Sequence, residues 1–244
     1  MNVLYNIIDN NKIPYDSDTF VGIEIECIIN KNNMDYDIIL NSVKDEILKL
    51  KLEHIITVTT DGSIKDDKTK IELIHGRKYN HLTGQWEFGY YNETVPMGIG
   101  IEFKVLTKNK DLFKNLRLIN KLFKKLRPRI NSTCGLHIHL DARYYNVKDI
   151  VLNLLDKQKE IHSKVDIKRI KNKYCKPTTV TAALRSLKGS NRYSRYKDIN
   201  TMSYKKYGTI EVRIHEGTID TAKIYGWVKY LNSIAYKKRK EIAA

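Results

Sequence analysis

Thiols are scarce in this chain. Only Cys27, Cys134 and Cys175 occur among 244 residues, an odd number with no C-x-x-C pair, which excludes a disulfide framework and a thiolate zinc site. Cys27 and Cys134 fall at strand positions and are expected to be small core residues. Long apolar runs are missing too. No stretch approaches the ~20 residues of a membrane-spanning helix, and residues 1–11 lack the charged start and apolar run of a secretion signal. The expectation is a soluble, cytoplasmic protein with no membrane partner, in the host cytoplasm if the source is viral. A P-loop and the protein-kinase signature set are also absent, so a nucleotide would have to be held in another way. Acids are outnumbered: Asp plus Glu total 28 against 44 for Lys plus Arg, a formal charge of +16. Two explanations compete for that charge. It can mark an anionic partner such as a nucleotide, nucleic acid or acidic polymer. It can equally reflect the abundant Lys, Asn, Ile and Tyr of an A+T-rich genome, the lysines serving only to solvate the surface.

What the chain does have is a repeated strand design. In G-T-I-E-V-R-I-H-E-G-T-I-D at 208–220, Ile210, Val212 and Ile214 alternate with Thr209, Glu211, Arg213 and His215. Period-2 alternation sends those sets to opposite faces of a sheet, one aliphatic and one carrying an acid, a guanidinium and an imidazole. Three further segments follow the rule. Residues 21–27 place Gly22, Glu24 and Glu26 on the polar face, residues 100–104 place Glu102 and Lys104 there, and residues 134–141 place Gly135, His137, His139 and Asp141. A solvated outer face accounts for any one of these strands. Four faces dominated by carboxylates and imidazoles in a basic chain point instead to ligands converging on a hard divalent cation.

A chain of this length can bury one large core, and the reading is a single domain over 1–244. Helices are predicted over 35–54, 108–127, 147–170 and 220–236 from apolar spacings of three and four. The helix at 108–127 carries its apolar stripe through Leu112, Phe113, Leu116, Ile119, Leu122, Phe123 and Leu126. Its other face is Lys110, Lys114, Arg117, Lys121, Lys124 and Lys125, suited to phosphates or simply to water. Residues 55–60 read as a strand running into the turn Asp61-Gly62-Ser63. Residues 65–97 read as a hairpin arm in which Tyr79, Trp86, Phe88, Tyr90 and Tyr91 either stack on bases or sugars or hold the hairpin together by cross-strand packing. Residues 168–207 are polar and basic and read as a mobile loop over a site, with Arg192, Arg195, Tyr196 and Asn200 prominent in it.

Glu24, Glu26, Glu102, His137 or His139, and Glu211 form an oxygen-rich set that suits Mg²⁺ or Mn²⁺ better than structural zinc. With Arg213 beside it, the set has the equipment of phosphoryl transfer. The ordered motifs G-I-E-I-E (22–26), D-G-S-I (61–64), G-I-E-F (100–103), C-G-L-H-I-H-L-D (134–141), R-Y-x-x-x-N (195–200) and Y-G-T-I-E-V-R-I-H-E-G-T-I-D (207–220), followed by a helix containing Trp227, closely resemble the amidoligase family. That family is a relative of glutamine synthetase and glutamate-cysteine ligase in the carboxylate-amine ligase superfamily. The resemblance implies an α+β, glutamine-synthetase-like fold, a curved antiparallel sheet with helices packed on one side. It also implies ATP-dependent formation of an amide or peptide bond through an acyl-phosphate, with ATP and Mg²⁺ (or Mn²⁺) as cofactors. By the match of motifs, Glu24, Glu26, Glu102, one histidine of His137 and His139, and Glu211 would bind metal. Arg213 would contact the transferred phosphoryl, and Arg195 and Asn200 would lie near nucleotide or substrate; Arg213, Glu211 and Glu26 are the catalytic set. The acid and the amine stay open, one of them expected to be large and anionic, a nucleic acid or an acidic peptide. Two other readings stand beside this one: a non-catalytic nucleic-acid-binding phage or viral protein on a relic ligase fold, and a metal-dependent hydrolase that needs no ATP.

Overall fold

A computed structural model describes residues 18–31, 34–189 and 195–238. The lead-in at 1–11, Arg192 and the end of the basic tail lie outside the described residues. In chain order the elements are β1 (Phe20–Asn30), α1 (Tyr36–Lys49), β2 (Ile56–Thr60), β3 (Thr69–Asn80), β4 (Gln85–Pro96) and β5 (Gly98–Lys108). A 3-10 turn leads into α2 (Leu112–Leu126), followed by β6 (Gly135–Asp141), α3 (Val147–Asp156), α4 (Gln158–His162), α5 (Ile167–Ile170) and α6 (Val180–Leu187). The chain closes with β7 (Ile199–Asn200), α7 (Ser203–Tyr207), β8 (Thr209–Glu216) and α8 (Thr221–Ala235).

Six strands form one antiparallel sheet in the order β2-β5-β1-β6-β8-β7, and β3 and β4 form a separate two-stranded ribbon. The order follows from the alternation. The aliphatic sets of β1, β5, β6 and β8 need a common cover, and α1, α2, α3 and α8 supply it from one side in a single apolar core. Ile39, Val43 and Ile47 of α1, Leu116, Ile119 and Leu122 of α2, and Ile224, Val228 and Leu231 of α8 are the buried stripes. Local signals set the ends. Asn146 accepts from the backbone N–H of Lys148 to cap α3, and Asp220 accepts from Ala222 and Lys223 to cap α8. Arg127, left-handed at φ 48°, stops α2 ahead of Pro128. Among the described residues no helix is long and apolar enough to cross a membrane.

The fold departs from the sequence reading in four places. The helix read over 147–170 is three short helices. Gln158, inside the span read as one helix, donates to Thr178 O at 2.9 Å and Asp198 Oδ2 at 2.8 Å. Phe113 leaves the buried stripe of α2 and stands exposed against Tyr225. The segment read as a loop at 168–207 contains α5, α6, β7 and α7 and buries Thr178, Asp198, Asn200 and Ser203. Finally, β8 holds one more residue than β6 between the pairs Ile138↔Val212 and Leu136↔His215. That bulge turns His215 out of the file of Glu211 and Arg213 and onto the helix side. There it packs 4.9 Å from Trp227 of α8, and burial depresses its basicity. Within 65–97, Thr69–Asn80 and Gln85–Pro96 pair as a two-stranded ribbon with Gly84 at φ +69° in its tip.

Candidate active site

The sheet face away from the helices carries three rows of opposed residues. Register puts Thr57, Lys104, Glu24 and His137 in one row, and Thr59, Glu102 and Glu26 in the next. The third runs through Gly22, His139, Glu211 and Asn200. Directly opposed residues on antiparallel strands share a face, so the polar sets that alternation made on each strand become one surface.

The side chains meet. His137 Nδ1 lies 3.0 Å from Glu24 Oε2 and 3.6 Å from Glu211 Oε1, and its Nε2 lies 3.5 Å from Glu26 Oε1. His139 Nδ1 lies 3.0 Å from Thr209 Oγ1, while its buried Nε2 sits 3.3 Å from Glu24 Oε1 without a formed hydrogen bond. Gly22 makes this approach possible, since a Cβ there would come within 3.0 Å of His139 Cβ. The carboxylates are held from behind. The backbone N–H of Gly135 donates to Glu26 at 2.6 Å, and Asn200 Nδ2 donates to Glu211 Oε2 at 2.7 Å. The Lys104 ammonium lies 2.8 Å from Glu102, and the Arg213 guanidinium bonds Glu211 Oε1.

Three sets of donor atoms lie within 4.8 Å of one another: Glu24, Glu102 and His137; Glu24, His139 and Glu211; and Glu26, Asp61 and Glu102. The electrostatics show the strain of packing acids together. Burial, and then the Glu24 charge, push the Glu102 carboxyl upward against the pull of Lys104. For Glu24 burial works in the same direction, yet the hydrogen bond from His137 and the close approach and charge of both His137 and His139 overcome it and hold its carboxyl well below the usual range. His139 is the reciprocal case: burial opposes its protonation, and Glu24 and Glu211 reverse the balance and raise it. The Lys104 ammonium is held on its proton by its bond to Glu102.

Every sequence-predicted metal-site residue and Arg213 therefore falls in one cluster. Asn200 is beside it, but its amide is committed to Glu211 and, through Oδ1, to the backbone N–H of Met202 at 3.0 Å. Arg195 is exposed at the margin, where its charge is supported by Tyr196 first and by Glu211 and Asp61 at longer range. Asp141 shares the strand face but pairs with Arg143, at 2.8 and 2.7 Å.

Two participants were not among the predicted site residues. Asp61, read first as a turn residue, completes the third acidic set. Arg169, taken as one more charge in a basic stretch, is buried and donates to the carbonyls of Arg213 and Cys134. A Cβ on Gly135 would meet its guanidinium at 2.7 Å and His137 Nε2 at 2.9 Å, so Arg169 lies at the floor of the cluster. No pattern distinguishes a buried arginine in a Lys-rich run, although D-G-S-I among the ordered motifs did mark Asp61.

No curated protein matches this chain. The family model described as "Putative amidoligase enzyme" matches residues 18–188 and 157–235, the stretch that builds the sheet, its helices and the polar cluster. By that match the chain belongs to the amidoligase family, which suggests the role of a ligase.

Proposed function

We propose that this chain is an ATP-dependent carboxylate-amine ligase, forming an amide or peptide bond through an acyl-phosphate on a sheet of the glutamine-synthetase type. One observation carries the reading. Four carboxylates and two imidazoles from β1, β5, β6 and β8 converge on the face opposite the helices, with a guanidinium bonded to one of them.

The residues fit a divalent cation. Their donors are carboxylate oxygens and imidazole nitrogens, the set that Mg²⁺ or Mn²⁺ accepts, and the upward push on Glu102, from burial first and the Glu24 charge second, is one that bound positive charge opposes. Glu24, Glu26, Glu102, Glu211 and one or both of His137 and His139 would hold it. Bound there, such an ion supplies neutralisation of phosphate oxygens. Arg213, fixed by Glu211, stabilises charge that develops on the transferred phosphoryl group. Gly135 and Asn200 keep Glu26 and Glu211 in place, so the anionic face is preorganised rather than assembled on binding. Arg195 at the margin, with Arg213 and Asn200, is the nucleotide side of the site.

In the reaction, an oxygen of the substrate carboxylate attacks the γ-phosphorus of ATP and ADP leaves. The amine then attacks the acyl carbon, and the carbon–oxygen bond to phosphate breaks. A large anionic substrate, an acidic peptide or nucleic acid, suits the overall charge. The basic side of α2 lies on the helix layer, across the sheet from the cluster, so such a substrate would be gripped by Lys and Arg nearer the site.

The test is isotopic. With ATP and Mg²⁺, pools of ¹⁸O-carboxylates and amines are screened for ADP release. The productive pair should deliver one ¹⁸O into each phosphate released. ADP formation with unlabelled phosphate would remove the acyl-phosphate, and turnover unchanged in Glu24→Gln and Arg213→Ala would remove the site.

A further inference from the structure

The β3–β4 ribbon is amphipathic in the unexpected direction. Register places Ile71, Leu73 and His75 with Trp86, Phe88 and Tyr90 on one face, with Arg77 and Tyr79 between them. The other face carries Lys70, Glu72, Lys78, Glu87 and Glu93 around Gly76 and Gly89, with Ile74, Tyr91 and Val95 among them. On the β3 strand that second face is half-buried from Lys70 to Gly76 and the first face is open. Ile71 is 73% exposed, Leu73 67%, Trp86 62%, Phe88 69% and Tyr90 73%. Cross-strand ring contacts exist, with His75 4.5 Å from Tyr90 and Tyr79 5.5 Å from Trp86, but they leave the outer surfaces of the stripe uncovered.

The ribbon is a built element. Asn80 donates to Glu87 at 2.8 Å across the tip and accepts from Leu82, and Gly84 closes the turn. Its root is held by Asp66, whose buried carboxylate takes both contacts from Arg129 at 2.9 and 3.1 Å. At 12 residues a strand it reaches roughly 40 Å. An isolated two-stranded ribbon is marginal in water and needs a further layer.

Charge identifies that layer. Over residues 69–96 three cations face three carboxylates, so the arm is neutral in a chain of +16, and Arg77 is the one formal charge on its apolar face. A surface that tracks phosphates needs a run of cations beside its aromatics, and this face lacks one. A second copy of the same face is matched in polarity and brings a single like charge, the other Arg77, to a two-fold interface. Three rings that each cover about 150–250 Å², exposed by roughly two thirds, give with Ile71 and Leu73 roughly 600 Å² of apolar surface. That is at the upper end for a monomer's largest patch. Two such faces together remove roughly 1,200 Å², enough for a specific interface.

We propose that the β3–β4 arm is a self-association surface, through which two copies of this chain pair with apolar face against apolar face. Sedimentation velocity on the full chain from about 1 to about 100 µM tests this. The wild type should pass from monomer to dimer, and Trp86 emission should move to the blue with it, Trp227 being already buried. Trp86→Glu combined with Phe88→Glu changes two exposed side chains, so the fold should persist by circular dichroism while the dimer is lost. Lys78→Gln on the opposite face should leave the dimer intact. A wild type monomeric throughout, or a dimer that survives the double substitution, overturns the proposal. So does a monomer that binds single-stranded oligonucleotide through Trp86, which would make the arm a base-stacking platform.

Discussion

Gly135→Ala is the substitution in which the geometry of the site speaks most directly. Its Cβ would stand 2.7 Å from Arg169 Nη2, 2.9 Å from His137 Nε2 and 3.3 Å from Glu26 Oε2. None of these can step aside freely. Arg169 is tied to two carbonyls, His137 to Glu24, and Glu26 to the N–H of residue 135 itself. Overpacking of this kind costs about 1–3 kcal/mol. At about 2–4 °C per kcal/mol for a chain of this size, Tm should fall by about 2–12 °C. Any stabilisation by Mg²⁺ with a non-hydrolysable ATP analogue should fall with it, because two donors of the cluster move. Gly62→Ala is the control, since a Cβ there meets nothing within 4 Å, and it should leave Tm unchanged or raise it by up to about 4 °C. Calorimetry of both variants, with and without ligand, decides the matter. A Gly135→Ala protein with unchanged Tm and an unchanged ligand response would refute the packing assigned to Arg169, His137 and Glu26.

Two further predictions concern the frame around the site. Asp198 is buried and accepts from Gln158 and His162 on one oxygen and from the backbone of Thr178 and Ile199 on the other. Asp198→Asn keeps the second pair and loses the first, so urea unfolding should show a loss of about 2–5 kcal/mol; a loss below ~1 kcal/mol would contradict this network. Burial works against ionisation of Asp66, but its bonds from Arg129 prevail and hold the carboxyl below the usual range. A depressed carboxyl contributes stability that is present above its unfolded value near 3.9 and is lost as pH falls through the folded value. The stability gap between wild type and Asp66→Asn should therefore narrow as pH is lowered from about 6 to about 3, and a constant gap would exclude Asp66 as its source.

The residues that could be read in advance are those whose chemistry and period coincide. Glu24, Glu26, Glu102, His137, His139 and Glu211 are each a charged or imidazole residue at an alternate position of an aliphatic strand, and register then fixes them on one face. His215 obeys the same pattern and was still misplaced, because a bulge is an event of pairing and leaves no trace in alternation. Gln158 and Arg169 were hidden for another reason. Each is polar in a helical or basic run, and each is drawn inward, Gln158 half-buried and Arg169 buried, only because a partner distant in sequence, Asp198 or the carbonyl of Arg213, reaches it. The pairing of the arm accords with its aromatic residues Tyr79, Trp86, Phe88, Tyr90 and Tyr91. Which of its faces is open was not legible, since solvent exposure depends on where the ribbon leaves the body.

In the proposed function the acidic, imidazole-bearing face holds a metal–nucleotide pair. Thermal unfolding with Mg²⁺ and a non-hydrolysable ATP analogue, singly and together, for wild type and Glu24→Gln, is the measurement that decides it. Ligand at about 100 times Kd adds about 2.7 kcal/mol, which should raise the wild-type Tm by about 5–11 °C. The account requires that this shift need both components and vanish in Glu24→Gln. No shift in the wild type, or the same shift in the variant, would contradict it.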